Sequence, residues 1–258
     1  MLNFRHLGGE GNPPMIILHG LLGSSRNWVQ AGKALASRFN VFALDLPNHG
    51  DSFSMHDMSF DAVSKCILEW MDERSIASPI LLGHSLGGKV AMCLASSYPH
   101  RCSALGIVDI APREYEPHSQ TTIQTMCALD LESIQSRRDA EDMLQDAIPD
   151  MGFRRFILTN LVRKDGLFAW QVNLTALLHS LPNLILSPMT EHSRYDGPAI
   201  FFKGETSDFI KPEDEIVIQS RFPRSHLTTI PQAGHNVHSD NLPMFIDAVF
   251  RFFCGLPV

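Results

Sequence analysis

The stretch Ile80-Leu81-Leu82-Gly83-His84-Ser85-Leu86-Gly87-Gly88-Lys89-Val90-Ala91-Met92 decides the fold. Its first three residues are large and aliphatic, as in a strand covered on both faces. The run from Leu86 to Tyr98 then reads as a helix that stops before Pro99. Between the two lies Gly83-His84-Ser85-Leu86-Gly87, a G-x-S-x-G pattern. Alone the pattern is weak, and an ordinary glycine-rich turn competes with it. Its place between strand and helix gives it meaning. A sharp strand-to-helix turn strains the serine backbone and presents the hydroxyl at the carboxyl end of a sheet. The helix that follows points backbone N–H groups at negative charge developing there. Ser85 is therefore the candidate nucleophile.

Short apolar runs recur on both sides of this motif. Residues 15–20, 41–45, 80–85, 104–110, 199–204 and 226–230 read as strands. The intervals between them look helical; residues 59–74 carry Phe60, Val63, Ile67 and Trp70 on one face. Strands alternating with helices imply an α/β fold with a doubly wound, mostly parallel sheet. The rhythm breaks between residues 112 and 197, where clear strand runs are lacking. Amphipathic pieces near 119–131, 137–148, 151–163 and 173–181 predict an inserted helical cap of about four helices. The expected division is a core of residues 1–111 and 198–258, and a cap of 112–197 roofing a binding site. Phe153, Phe156, Leu161, Phe168 and Trp170 are candidates for lining it; ordinary packing within the cap is the competing reading.

A serine hydroxyl needs a base to take its proton. His235, in Ala233-Gly234-His235-Asn236-Val237-His238, follows the last expected strand and precedes a final helix. A histidine on that loop fits the chain order serine, acid, histidine. His238 competes but lacks the preceding glycine. Acyl transfer also needs donors for a tetrahedral oxyanion. The backbone N–H of Leu86, just after the serine, is one. The other is assigned to Leu21, in His19-Gly20-Leu21-Leu22-Gly23. His19 reads as a loop brace, and Asp45 and Asp51 as turn-stabilising carboxylates. For the third member of the site two aspartates compete. Asp109 ends the strand at 104–110; Asp208 follows the strand at 199–204, one residue later than a G-x-x-D spacing would place it, where Ser207 stands.

With these landmarks in order, the chain resembles the α/β-hydrolase superfamily over essentially its full length. More narrowly it is similar to small bacterial esterases of the YbfF type and to the mitochondrial abhydrolase-domain-11 proteins. The carriers are HGLLGS (19–24), NHGDS (48–52), GHSLGGKVAM (83–92), VDIAP (108–112) and AGHNVHSDN (233–241). Two positions depart from the pattern: Pro47 stands where arginine is usual, and Asn236 where an aromatic is usual. The resemblance implies hydrolysis of carboxylic esters of small to medium acyl chains, or of acyl-CoA thioesters, with no metal and no cofactor. It places the acid at Asp109. Carbon–carbon hydrolases, lyases, cofactor-free haloperoxidases and hydrolase-fold receptors share such a scaffold, since fold does not set function.

Composition narrows the partners. The 258 residues are 44% hydrophobic and 19% charged, with 21 Lys and Arg against 28 Asp and Glu, a net charge of −7. That balance, without a basic run, argues against nucleic acid. No apolar run of 18 residues predicts a membrane span. The N-terminus shows no secretory pattern. Five scattered cysteines, with no CxxC pair, predict reduced thiols in the cytoplasm. A small-molecule ester or thioester is the expected partner.

Overall fold

The computed structural model describes residues 1–117 and 119–256. The core elements before the insertion are β1 (Phe4–His6), β2 (Pro14–Leu18), α1 (Val29–Leu35), β3 (Asn40–Leu44), α2 (Phe60–Glu73), β4 (Ile80–His84), α3 (Leu86–Ser97) and β5 (Ala104–Val108). The insertion carries α4 (Ser119–Ala128), α5 (Arg137–Met143), α6 (Met151–Leu158), β6 (Leu161–Lys164), β7 (Leu167–Trp170) and α7 (Leu174–Leu184). The core resumes with β8 (Ala199–Gly204), α8 (Asp214–Arg221), β9 (Ser225–Ile230), α9 (Val237–Asp240) and α10 (Leu242–Phe253).

Seven strands form one sheet in the order β1-β3-β2-β4-β5-β8-β9. Only the edge strand β1 runs antiparallel, against β3. The sequence pattern had not marked β1, which is three residues long. The central strands are buried throughout, and their side chains divide between two hydrophobic layers. Ile16 and Leu18 of β2 face a layer with α2, α3 and the insertion, whereas Met15 and Ile17 face one with α1 and α10. This two-residue alternation, apolar on both sides, is why the strands read as continuous hydrophobic runs. Parallel pairing across β2, β4, β5 and β8 brings their carboxyl ends to one edge, from which the loops at 19–24, 83–87 and 109–117 emerge.

The insertion corrects the expectation of an all-helical segment. The helix expected over 151–163 stops at Leu158, and an antiparallel hairpin of β6 and β7 follows. Its turn is Asp165-Gly166, both with positive φ (51° and 86°). Asp-Gly between two strands is a strong hairpin signal, and it was present in the sequence. The helix expected to end near 181 runs on through Pro182 to Leu184.

Candidate active site

Sharp backbone at Ser85 is the starting point. Its φ of 50° and ψ of −115° lie where a non-glycine residue is strained. Close approach makes the strain sustainable. A Cβ on Gly83 would sit 2.3 Å from the Gly87 carbonyl oxygen, and one on Gly87 would sit 2.3 Å from that of Leu18. The Ser85 N–H donates to Val108 O (3.1 Å), and the Gly87 N–H donates to His19 O (3.1 Å). These bonds tie the turn to β5 and to the loop after β2.

Across the cleft, His235 Nδ1 donates to Asp109 Oδ2 at 2.8 Å. The carboxylate is an acceptor, so the Nδ1 proton is fixed and Nε2 is left as the acceptor nitrogen. Asp109 is wholly buried, with a positive φ of 53°. Its Oδ1 accepts from the Gly204 N–H (3.0 Å), and its Oδ2 also accepts from the Ser207 hydroxyl. Three donors thus converge on one buried carboxylate and satisfy its acceptor oxygens. Asp208 is exposed and, among the described residues, forms no hydrogen bond to the histidine. Sequence reasoning noticed Ser207 only as a gap in the G-x-x-D spacing. In the fold it occupies that place as a donor to Asp109.

Ser85 and His235 line one cavity of about 680 Å³, together with Leu21, Leu86, Phe153 and Phe156. Among the described residues no hydrogen bond joins Ser85 to the imidazole; such bonds are often long without substrate. The N–H groups of Leu21 and Leu86 donate to no protein acceptor among the described residues. The neighbouring Leu22 N–H is held by His49 Nε2 (3.2 Å), and Leu22 itself has a φ of 61°. His19 braces the same loop: Nδ1 donates to Gly20 O (2.8 Å) and Nε2 accepts from Leu46 N (3.0 Å). Asp45 accepts from Ser25 N (2.6 Å) and Asp51 N (3.0 Å), as expected of a bracing carboxylate. Asp51 itself is exposed and reaches Gln171 of the insertion (2.5 Å).

Four buried histidines surround the site in neutral form. Burial holds His19 and His84 below the usual imidazole range. Burial, and then the charge of neighbouring imidazoles, brings His49 and His238 down to about 3. His84 Nε2 donates to the His235 carbonyl (2.9 Å) and so holds the histidine loop. His238, the competing base, stacks on Trp28 with ring centroids 4.0 Å apart.

The insertion supplies the other wall. Phe153 and Phe156 line the cavity with Leu181, Leu184 and Ile185. Phe168 and Trp170 do not line it. They lie on the hairpin: Phe168 packs beneath Arg163, and Trp170 donates its indole N–H to Met126 O (2.9 Å). Leu161, also on the hairpin, is packed in the core. The reason is the hairpin itself, whose side chains pack into the apolar interior of the insertion with α4 and α6. Lys89, one turn beyond Ser85, joins the two halves. Its Nζ donates to the carbonyls of Leu184 (3.1 Å), Ile185 (2.8 Å) and Leu186 (2.8 Å), at the end of α7. Burial, then the charge of Arg113, lowers this lysine to about 7.

Fold and site geometry together are those of a hydrolase-fold protein, and the chain belongs to the α/β-hydrolase family. Residues 13–135 match the family described as alpha/beta hydrolase fold. The chain is 36% identical to the mouse (Mus musculus) protein named sn-1-specific diacylglycerol lipase ABHD11, over 97% of this chain and 84% of the relative. It is 27% identical to the protein named Esterase YbfF of Escherichia coli strain K12, over 94% of each. A solved structure described as a marine microorganism esterase superposes with a TM-score of 0.94 at 32% identity, covering 98% of this chain and 99% of the other.

Proposed function

We propose that this protein is a serine carboxylesterase, acting on esters of small to medium acyl chains through Ser85, His235 and Asp109. The observation that carries the reading is one cavity in which a strained serine and a carboxylate-oriented histidine share the wall beneath apolar side chains. The names of the relatives, a lipase and an esterase, support ester bonds as the target. In this mechanism His235 Nε2 takes the Ser85 proton as the hydroxyl attacks the ester carbonyl. The N–H groups of Leu21 and Leu86 receive the oxyanion. Asp109 keeps the histidine in the Nδ1–H tautomer and stabilises it when charged. His235 then protonates the leaving alcohol and activates water to release the acid.

The lining favours a neutral leaving group over coenzyme A. Among the described lining residues the only lysine or arginine is Lys89, spent on three carbonyls, while Glu116 and Asp240 are exposed carboxylates. A polyanionic leaving group meets repulsion there. Residues 112–197 act as the cap, with Phe153 and Phe156 contacting the acyl chain. All five cysteines are free thiols, which supports the reduced cytoplasmic setting we propose. Among the described residues no helix is long and apolar enough to cross a membrane.

The test is turnover of matched butyryl and hexanoyl substrates as neutral-alcohol esters and as CoA thioesters. Esters should be cleaved repeatedly, with kcat/KM about tenfold or more above the thioesters. Ser85→Ala should remove nearly all hydrolysis with the fold retained. Full turnover in that variant overturns the assignment.

A further inference from the structure

Phe209 is not accounted for by the mechanism above, yet it touches His235 more intimately than any other aromatic side chain. The two rings are nearly parallel, 18° apart, with centroids 3.7 Å from one another. Stacking of this kind places the negative face of the phenyl ring over the imidazole, where it attracts a cation far more than a neutral ring. Taking the serine proton turns the imidazole into a cation, so the contact strengthens during catalysis.

The backbone of Phe209 is anchored to the same site. Its N–H donates to Ser207 Oγ (3.2 Å), and that hydroxyl donates to Asp109. Its carbonyl accepts from the Tyr115 hydroxyl (2.7 Å), on the chain entering the insertion. Tyr115 in turn accepts from the Ala111 N–H (2.8 Å), two residues beyond Asp109. The Phe209 backbone is therefore held from both sides, and the Tyr115 ring stacks near the phenyl ring with centroids 5.8 Å apart.

Resting on the esterase reading, we infer that Phe209 is a positioning residue for His235: a π platform that fixes the plane of the ring and stabilises its protonated form. The other groups facing His235 are Asp109 at Nδ1, His84 with centroids 4.7 Å away, and His238 beyond His84. Asp240 holds the adjoining Gly234 N–H (2.9 Å). Burial holds both of these histidines below the usual imidazole range.

The experiment compares wild type, Phe209→Leu and Phe209→Tyr, each first shown to unfold at a similar temperature. Two readouts are taken: the NMR titration of the His235 imidazole, and the pH profiles of kcat and KM on a short neutral ester. In Phe209→Leu the titration midpoint and the acid limb of kcat should both move down by about half a pH unit. Plateau kcat should fall about three- to tenfold, with KM changed less than twofold. Phe209→Tyr keeps the π face and should restore all three. An unmoved midpoint in Phe209→Leu, or a change confined to KM, overturns the inference. The titration needs no turnover, so a wild-type protein that fails to cleave esters would sink the esterase reading and leave the stacking result standing.

Discussion

The floor and the roof of the cavity are built by different rules. The floor is made of strand ends and the loops leaving them. Its working groups are gripped by buried hydrogen bonds: three donors on Asp109, a neutral histidine brace at His19, another at His49. Three of its residues, Leu22, Ser85 and Asp109, hold positive φ angles that only a rigid surround sustains. The roof is made of short helices and a hairpin, and it leaves Met143, Met151, Phe153, Leu167 and Leu186 exposed. It shares the apolar layer on one face of the sheet, and polar ties such as Lys89 to the end of α7 and Asn160 Nδ2 to Leu22 O (2.8 Å) add to that packing. The contrast teaches that strained backbone and buried hydrogen bonds gather at the strand ends, whereas the insertion contributes mainly apolar side chains.

Several substitutions would break or sharpen that contrast. The largest effect belongs to the floor. Asp109→Asn should cut kcat by about 10⁴-fold, because an amide no longer fixes the His235 tautomer, as in other serine–histidine–aspartate sites. Steady-state kinetics on a short ester measures it, and a drop under tenfold would place the acid elsewhere. Acid comes next. The folded protein keeps His49 and His238 neutral down to about pH 3, while in the unfolded chain they take up protons near 6.5. The unfolded state then binds more protons, so stability should fall as pH drops below 6.5, by about 1.4 kcal/mol per unit for each such histidine. Urea unfolding at pH 7.5, 6.0 and 5.0 reads this; a flat profile contradicts it. A smaller change is expected in the roof. Phe156→Ala should shift the hexanoyl-to-acetyl ratio of kcat/KM by about tenfold, while Phe168→Ala leaves that ratio unchanged. If both variants shift it equally, the hairpin reaches the substrate after all. Smallest of all, Asp208→Asn should stay within about twofold of wild type.

How far the molecule is readable from its sequence follows the same divide. Buried parallel strands announce themselves as apolar runs because both faces are covered, so β2, β4, β5 and β8 were evident. Ser85, His235 and Leu86 could be proposed from sequence because each stands on a local turn with a recognisable pattern. Asp109 stayed in competition with Asp208, since the choice rests on which carboxylate the fold brings to the imidazole, a contact 126 residues apart. Ser207 and Phe209 were missed as partners for the same reason. In the roof, apolar residues at helical spacing suggested a cavity lining for Phe168 and Trp170, although the Asp165-Gly166 turn argued for a hairpin. Amphipathic pattern reports that a side chain is covered; it does not report by what.

The lysine one turn past Ser85 has a mechanical corollary. Three carbonyls at the end of α7 share its ammonium, so withdrawing that helix would strand all of them at once. The insertion is fastened at that end to the helix that follows Ser85. At the opposite side of the cavity, Gly152 and Phe153 line it at the exposed start of α6, where no such tie is made among the described residues.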